Sequence, residues 1–174
     1  EVSKILCSES RIRALSFTGS TRVGRLLIEQ SANTVKRLSL ELGGNAPFIV
    51  GPDMDPKQAA YAAVDAKFQT AGQDCLAANR ILVHESIHDE FVEQFAERMA
   101  ALTVGNGLQG EIDLGPLIHR QAVEKAAAIV DDAISKGAKM IGGDQSQAPG
   151  ENFFMPVMLT GVTPKMKVWR EENF

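Results

Sequence analysis

Residues 36–50, KRLSLELGGNAPFIV, carry the pattern that decides the fold. Up to Leu42 apolar and polar residues alternate, which is typical of a half-buried β-strand, and two glycines then interrupt the chain. Residues 46–50 (APFIV) form a short apolar run that predicts a second, more buried strand. Amphipathic helical patterns flank these strands on both sides, so we predict an α/β fold with a largely parallel sheet.

The remaining elements follow from the same periodicities. Asp55 and Pro56 predict a helix start, with a capping carboxylate before a proline at the first helical position. Apolar residues that recur about every fourth position predict a long helix from Ser86, and Lys136-Gly137 marks the end of another. The predicted strands lie at residues 13–17, 36–42, 46–50, 80–84, 138–141 and 154–162; the predicted helices lie at 22–32, 56–68, 86–102 and across Val123, Ala126, Ala127, Val130 and Ile134.

The best candidate for a domain boundary is Gly43-Gly44, because residues 1–42 hold less than a complete α/β unit. We predict that residues 1–42 end one domain and that residues 43–174 begin another. The chain starts at Glu1 and stops at Phe174 without the residues that usually end an element. We therefore expect a piece of a longer protein.

Composition and charge exclude several classes of function. The net charge is −4, from 18 Lys and Arg against 22 Asp and Glu, so no basic surface predicts binding to nucleic acid. The longest apolar run is six residues, at 59–64, which is too short to predict a membrane span. Two cysteines and three scattered histidines predict neither a disulfide framework nor a metal site, and favour a reduced, cytoplasmic compartment.

Cys75 is the first candidate for chemistry. It follows Gly72-Gln73-Asp74 in a predicted loop between a helix and a strand, where α/β proteins place their active sites. From the residues alone, a reactive thiol and a half-buried structural cysteine are equally good interpretations. Cys7 has an ordinary context, KILCSES, and is interpreted as structural. A thiol hydrolase using Cys75 and His84 is disfavoured, because no Asn or Asp is placed to orient the histidine.

Glu41 and the segment 18–21 (TGST) are the other candidates. Alternation places Glu41 on the polar face of its strand, where a solvated edge carboxylate is the simpler interpretation and a general base is the functional one. The TGST segment joins a strand to a helix, where backbone N–H groups could meet a phosphate. It is neither a Gly-x-Gly-x-x-Gly fingerprint nor a Walker-type loop.

Taken in order, several segments resemble the aldehyde dehydrogenase superfamily across the whole chain. They are FTGSTRVG at 17–24, LELGGNAPFIV at 40–50, FQTAGQDCLAANR at 68–80, GPLI at 115–118, NFFMPVML at 152–159 and EENF at 171–174. LELGG and GQ-x-C are the most specific, and other details are most similar to the succinate-semialdehyde dehydrogenase branch. The resemblance implies an enzyme that oxidises an aldehyde with NAD or NADP.

The resemblance also implies roles for individual residues. Cys75 matches the nucleophile and Glu41 the general base. The positions that match cofactor-binding ones are Gly19 and Ser20 near the pyrophosphate, Leu42 near the nicotinamide carboxamide, Glu172 at the ribose and Phe174 at the ring, with Gly24 as a further cofactor-binding position. The implied chemistry is a thiohemiacetal and then a thioester on Cys75, with Glu41 activating the water that hydrolyses the thioester.

Three positions depart from the pattern of that branch. Asp74 replaces a small polar residue, Gln69 replaces the arginine that pairs with a substrate carboxylate, and Ala77 replaces a second cysteine found in some members. We predict Gln69 as a substrate-binding residue and succinate semialdehyde or a related semialdehyde as the substrate. The full-length enzyme is expected to be a homo-oligomer, a dimer or tetramer, and this segment alone to be inactive. The alternative is a truncated, noncatalytic product that acts only by association.

Overall fold

The structure, a computed structural model, describes residues 1–173, so Phe174 lies outside the described residues. The chain divides into two compact units. The first is Glu1–Gly44, and the second begins at Asn45. Among the described residues, no helix has the length and apolar character that crossing a membrane requires.

The first unit contains one parallel strand pair and two helices. Its elements are α1 (Val2–Ser8), β1 (Ala14–Gly19), α2 (Thr21–Ser31) and β2 (Arg37–Leu42). The register runs from Ala14 opposite Arg37 to Gly19 opposite Leu42, so both strands end at the same edge. Along β2 the leucines are half-buried and the residues between them are exposed, which confirms the predicted alternation.

Cys7 is part of the packing of this unit. Its side chain is fully buried on α1, and its carbonyl accepts a hydrogen bond of 2.9 Å from the Thr34 hydroxyl. The Lys36 ammonium donates to the carbonyls of Glu9 and Ile12, at 2.6 and 2.7 Å. These bonds fasten α1 to the segment that leads into β2, and they agree with the interpretation of Cys7 as structural.

The second unit begins with a β–α–β arrangement. Its elements are β3 (Pro47–Val50), α3 (Pro56–Phe68), β4 (Arg80–Val83) and α4 (His88–Ala100), and β3 pairs with β4 in parallel. The Asp55 carboxylate caps α3 by accepting from the backbone N–H of Gln58 at 2.8 Å, and Pro56 is the first helical residue. Both features of the predicted helix start are confirmed.

The core of this unit lies between α3 and α4. Small residues of α3 (Ala59, Ala60, Ala63 and Val64) are buried against Phe91, Phe95 and Met99 of α4. The Phe91 and Phe95 ring centroids are 5.9 Å apart and tilted by 36°. Alanines on one face let the two helices approach closely enough for these rings to fill the interface, which fixes the end of α3 from which the Cys75 loop departs.

The rest of the unit contains α5 (Arg120–Ser135), the antiparallel strands β5 (Lys139–Gly142) and β6 (Val157–Thr160), and α6 (Lys167–Arg170). The α/β class is confirmed, and the described strands form three two-stranded pairs, two of them parallel. The predicted apolar face of α5 was wrong at one position. Ile134 is 43% exposed, whereas Ile129 and Ala133 are buried, because the helix presents the adjacent face to the core.

Candidate active site

The loop between α3 and β4 begins with a turn of unusual backbone geometry. Thr70, Ala71 and Gly72 are consecutive residues in the left-handed region, with φ of 53°, 56° and 73°. For Thr and Ala this conformation costs about 1–3 kcal/mol each. Such strain persists where surrounding contacts impose it, and it clusters at functional sites. The turn ends three positions before Cys75.

Gly72 is required by a close approach as well as by its φ. A Cβ atom at this position would lie 3.2 Å from both Cε and Nζ of Lys67 and 3.3 Å from the Lys67 carbonyl oxygen. The same Nζ donates to Oδ1 of Asn79 at 2.6 Å. Lys67, at the end of α3, and Asn79, just before β4, therefore join the two ends of the loop.

Burial lowers the pKa of Lys67 to about 8, because the surrounding protein disfavours the charged ammonium. The bond to Asn79 satisfies one of its three donors. This half-buried amine is a feature that the sequence did not indicate, since a lysine in a helical pattern is usually solvated.

Gln73 connects the loop to a distant segment of the same unit. Its Oε1 accepts from the backbone N–H of Ile118 at 2.8 Å, and its Nε2 lies 3.4 Å from the carbonyl oxygen of Pro116 and 3.5 Å from that of Thr70. The side-chain amide thus joins the Cys75 loop to the GPLI segment. These are two of the segments that carry the family resemblance.

Cys75 itself is exposed, with its thiol accessible. The preceding residue, Asp74, forms an Asx turn, with Oδ1 accepting from the backbone N–H of Leu76 at 2.9 Å. The Asp74 carbonyl accepts from the N–H of Ala77 at 3.1 Å. Within residues 1–173 no hydrogen bond uses the N–H of Cys75, so that donor is available to an oxyanion formed beside the thiol. Gln69, at the start of the loop, is exposed.

In the first unit, the predicted general base and cofactor residues converge on one edge of the sheet. Thr18 is opposite Glu41 and Gly19 is opposite Leu42, at the carboxyl ends of β1 and β2. The Glu41 side chain is exposed, as alternation predicts. Ligands of parallel α/β sheets bind at this edge.

The start of α2 has the chemistry that a dinucleotide pyrophosphate needs. Ser20 is the N-cap residue, with its hydroxyl 3.4 Å from the backbone N–H of Val23, and the first turn contains no acidic residue. A helix N-terminus directs N–H groups and a partial positive charge toward an anion. Gly24 is buried, and a Cβ there would lie 2.7 Å from Cδ2 of Leu42. Gly24 therefore lets α2 pack on the end of β2, a role that sequence reasoning missed.

Glu172 lies in the second unit, where its carbonyl accepts from the Lys125 ammonium at 2.7 Å. The segment before it is held by Asn45, whose Nδ2 donates to the carbonyl of Trp169 at 3.1 Å. Phe174, the residue predicted to contact the nicotinamide ring, lies outside the described residues. The positions of the predicted site residues are thus divided between the two units.

His84, the histidine of the alternative thiol-hydrolase hypothesis, has a structural role. His84 precedes a short 3-10 turn at Glu85–Ile87, and its Nδ1 lies 2.8 Å from the Ser86 hydroxyl and accepts from the Ser86 N–H at 3.2 Å. It caps that turn.

The second unit also has an apolar cavity of about 540 Å³ that Lys67 and Gly72 help to line and Cys75 does not. We therefore do not place the reacting aldehyde there.

Comparison with known proteins gives a consistent result. The profile of the aldehyde dehydrogenase family matches residues 1–174. The chain is 83% identical, over all of its length, to 35% of a protein of Halomonas elongata named aspartate-semialdehyde dehydrogenase (non-phosphorylating). Among solved structures, 99% of the chain superimposes on 36% of the succinate-semialdehyde dehydrogenase of Burkholderia pseudomallei, with a TM-score of 0.95 and 46% identity.

A more distant structure is that of aldehyde dehydrogenase C of Pseudomonas syringae in complex with NAD⁺ and octanal. It has a TM-score of 0.92 and 30% identity, over 99% of this chain and 36% of that one. The chain thus spans about a third of the length of the relatives it matches.

Proposed function

Because the chain belongs to the aldehyde dehydrogenase family, we propose that it is part of an NAD(P)-dependent dehydrogenase that oxidises a semialdehyde to the carboxylic acid. Cys75 is the nucleophile and Glu41 the general base. The observation that carries the proposal is the Cys75 turn, where an exposed thiol stands beside an unused backbone N–H. Structural cysteines are typically buried, as Cys7 is.

The first step takes place on Cys75. Its thiolate adds to the carbonyl carbon of the aldehyde, a C–S bond forms, and the carbonyl π electrons move to oxygen. The N–H of Cys75 then donates to the resulting oxyanion. A bound nicotinamide dinucleotide would supply the hydride acceptor that this carbon needs, so that the adduct on Cys75 would become a thioester.

The second step is hydrolysis. Glu41 removes a proton from water as the water oxygen attacks the thioester carbon, and the C–S bond breaks to release the acid and the Cys75 thiolate. The exposed position of Glu41 at the ligand-binding edge of its sheet supports this role. Ser20 and the start of α2 would hold the pyrophosphate, Gly19 and the Leu42 backbone would contact the cofactor, and Gly24 would act by positioning α2.

The two units correspond to two parts of the enzyme in this proposal. The first is the end of the dinucleotide-binding domain, and the second is the beginning of the catalytic domain, with Glu172 and Phe174 near the nicotinamide ribose and ring. The full-length protein would act as a homo-oligomer on a small-molecule aldehyde. The high identity to the Halomonas relative supports aspartate semialdehyde as the first substrate to assay, with succinate semialdehyde as the second.

The test uses the full-length enzyme and three variants. Cys75→Ser should abolish formation of reduced cofactor. Glu41→Gln should slow steady turnover by roughly 10²–10⁴-fold and retain a burst of about one reduced cofactor per site, because thioester formation precedes the step that Glu41 serves. Glu29→Gln, a matched change on the exposed face of α2, should do neither. Equal loss of burst and steady rate in Glu41→Gln would show that Glu41 is not the hydrolytic base.

A further inference from the structure

Asp74 is the only charged residue in the loop at positions 69–79, QTAGQDCLAAN, and it directly precedes Cys75. The cations at the two ends of this loop have other partners. Lys67 is bonded to Asn79, and the Arg80 guanidinium donates to the carbonyl of Asn45 at 2.8 and 3.1 Å. Within residues 1–173 no ion pair includes Asp74. The loop thus carries one negative charge without a protein cation to match it.

The side chain of Asp74 is held in place by the turn. It is half-buried, and Oδ1 accepts from the Leu76 N–H at 2.9 Å, so the carboxylate is anchored by the backbone on the far side of Cys75 in the sequence. In the part of the chain that the structure describes, Oδ2 makes no hydrogen bond. A carboxylate oxygen fixed in this way is a preorganised acceptor for an ammonium group.

Such a charge affects which substrates the proposed reaction accepts. A carboxylate next to Cys75 repels a substrate whose net charge is negative. A substrate ammonium placed against it would remove this penalty. We propose that Asp74 is a specificity-determining residue, whose carboxylate binds the amino group of an amino-substituted semialdehyde while Cys75 holds the aldehyde carbon. This inference rests on the function proposed above.

The substrate's own geometry makes the adjacent residue the natural partner. In aspartate semialdehyde the amino group is on the second carbon from the aldehyde, so it stays close to the sulfur once the C–S bond has formed. Succinate semialdehyde is identical except that this carbon carries hydrogen in place of the amino group. The neutral Gln69 at the start of the loop can hydrogen-bond to a carboxylate common to both substrates, so it does not distinguish them by charge.

The experiment measures kcat/KM of the full-length enzyme with these two aldehydes, in the wild type and in Asp74→Asn. Asparagine keeps an oxygen that can accept from the Leu76 N–H, so the turn is retained and only the charge is removed. We expect the ratio of kcat/KM for aspartate semialdehyde over succinate semialdehyde to fall by about 10- to 100-fold, as is usual for the loss of a charge-assisted hydrogen bond. Asp131→Asn, which removes an exposed charge on α5, should leave the ratio at its wild-type value.

The outcomes separate this inference from the proposed function. If the wild type and Asp74→Asn both oxidise aldehydes and have the same ratio of kcat/KM for the two substrates, the inference is overturned and the proposed function stands. A wild type that prefers succinate semialdehyde overturns it in the same way. If the wild type reduces neither cofactor with either aldehyde, the proposed function fails and the inference fails with it. A fall in the ratio that also occurs in Asp131→Asn would assign the effect to overall charge and overturn the role of Asp74.

Discussion

Replacing Gln73 by methionine should separate positioning of the Cys75 loop from general stability. The change removes the amide that joins this loop to the GPLI segment and keeps the length of the side chain. Its main bond is the one from the Ile118 N–H, at 2.8 Å, since the contacts to Pro116 and Thr70 are long, at 3.4 and 3.5 Å. The loop would lose its tie to residues 116–118 and keep its anchor at Lys67 and Asn79.

The magnitude follows from these bonds. One good neutral hydrogen bond contributes about 1 kcal/mol, and the long contacts add a fraction of that, so the loss is about 1–2 kcal/mol. Because Ile118 is exposed, water can satisfy its freed N–H, and a larger cost is not expected. If all of this free energy is lost from stabilisation of the transition state at Cys75, kcat/KM of the full-length enzyme should fall by about 5- to 30-fold.

Gln145 provides a matched control within the same unit. Its Nε2 donates to the carbonyls of Gly143 and Met155, each at 3.1 Å, and its Oε1 accepts from the Met155 N–H at 2.9 Å. Gln145→Met therefore removes a similar amide bridge away from Cys75. Both variants should lower the thermal midpoint, Gln145→Met at least as much because its three bonds are all short, but only Gln73→Met should lower kcat/KM and slow alkylation of Cys75 by iodoacetamide. An equal loss of kcat/KM in the two variants would refute the positioning role.

Two further predictions concern Gln69, at the start of the same loop, and Lys67, at the end of the helix before it. Gln69→Arg should raise the ratio of kcat/KM for an aldehyde with a distal carboxylate to kcat/KM for an uncharged aldehyde of equal length. The expected increase is about 10-fold or more, because a charge-assisted hydrogen bond is gained. An unchanged ratio would show that Gln69 does not contact the substrate. Because the pKa of Lys67 falls from 10.5 to about 8 on folding, the unfolded chain binds more protons between these pH values, and stability should rise across this window by up to about 3 kcal/mol. Denaturant titrations at pH 7 and pH 10 should reveal this gain in the wild type and not in Lys67→Met, and an equal gain in both would contradict it.

Local patterns were sufficient for the elements around the site. The alternation in β2 predicted which face carries Glu41, and Asp55 with Pro56 predicted the start of α3, because each depends on neighbouring residues. The face of α5 was misassigned at Ile134, since alanines and valines surround the helix and its packing partners decide which of them are buried. The role predicted for Phe174, contact with the nicotinamide ring, stays a prediction because Phe174 lies outside the described residues.

The geometry of the loop itself could not be predicted. Left-handed turns are normally indicated by Gly or Asn, and here Thr70 and Ala71 adopt that conformation, which their residue types do not predict. The bond between Gln73 and Ile118 joins residues 45 positions apart, so no local pattern encodes it. The family resemblance predicted roles for Cys75 and Glu41, which stay predictions, and it gave no account of how the loop is held.

The physical features of this loop argue that it is a site and not a connection. A left-handed backbone at Thr70 and Ala71 and a half-buried amine at Lys67 each cost free energy, and Asp74 adds a charge that no ion pair within residues 1–173 matches. All lie within eight positions of the exposed Cys75. The flanking helices α3 and α4, by contrast, follow ordinary rules of capping and packing. A chain that only had to join α3 to β4 could avoid these costs with glycine or asparagine in the turn and a neutral residue at position 74. Their concentration next to one thiol supports the proposed reactive centre, in which a fixed backbone would aim the nucleophile, the N–H of Cys75 would meet an oxyanion and the charge of Asp74 would select the substrate.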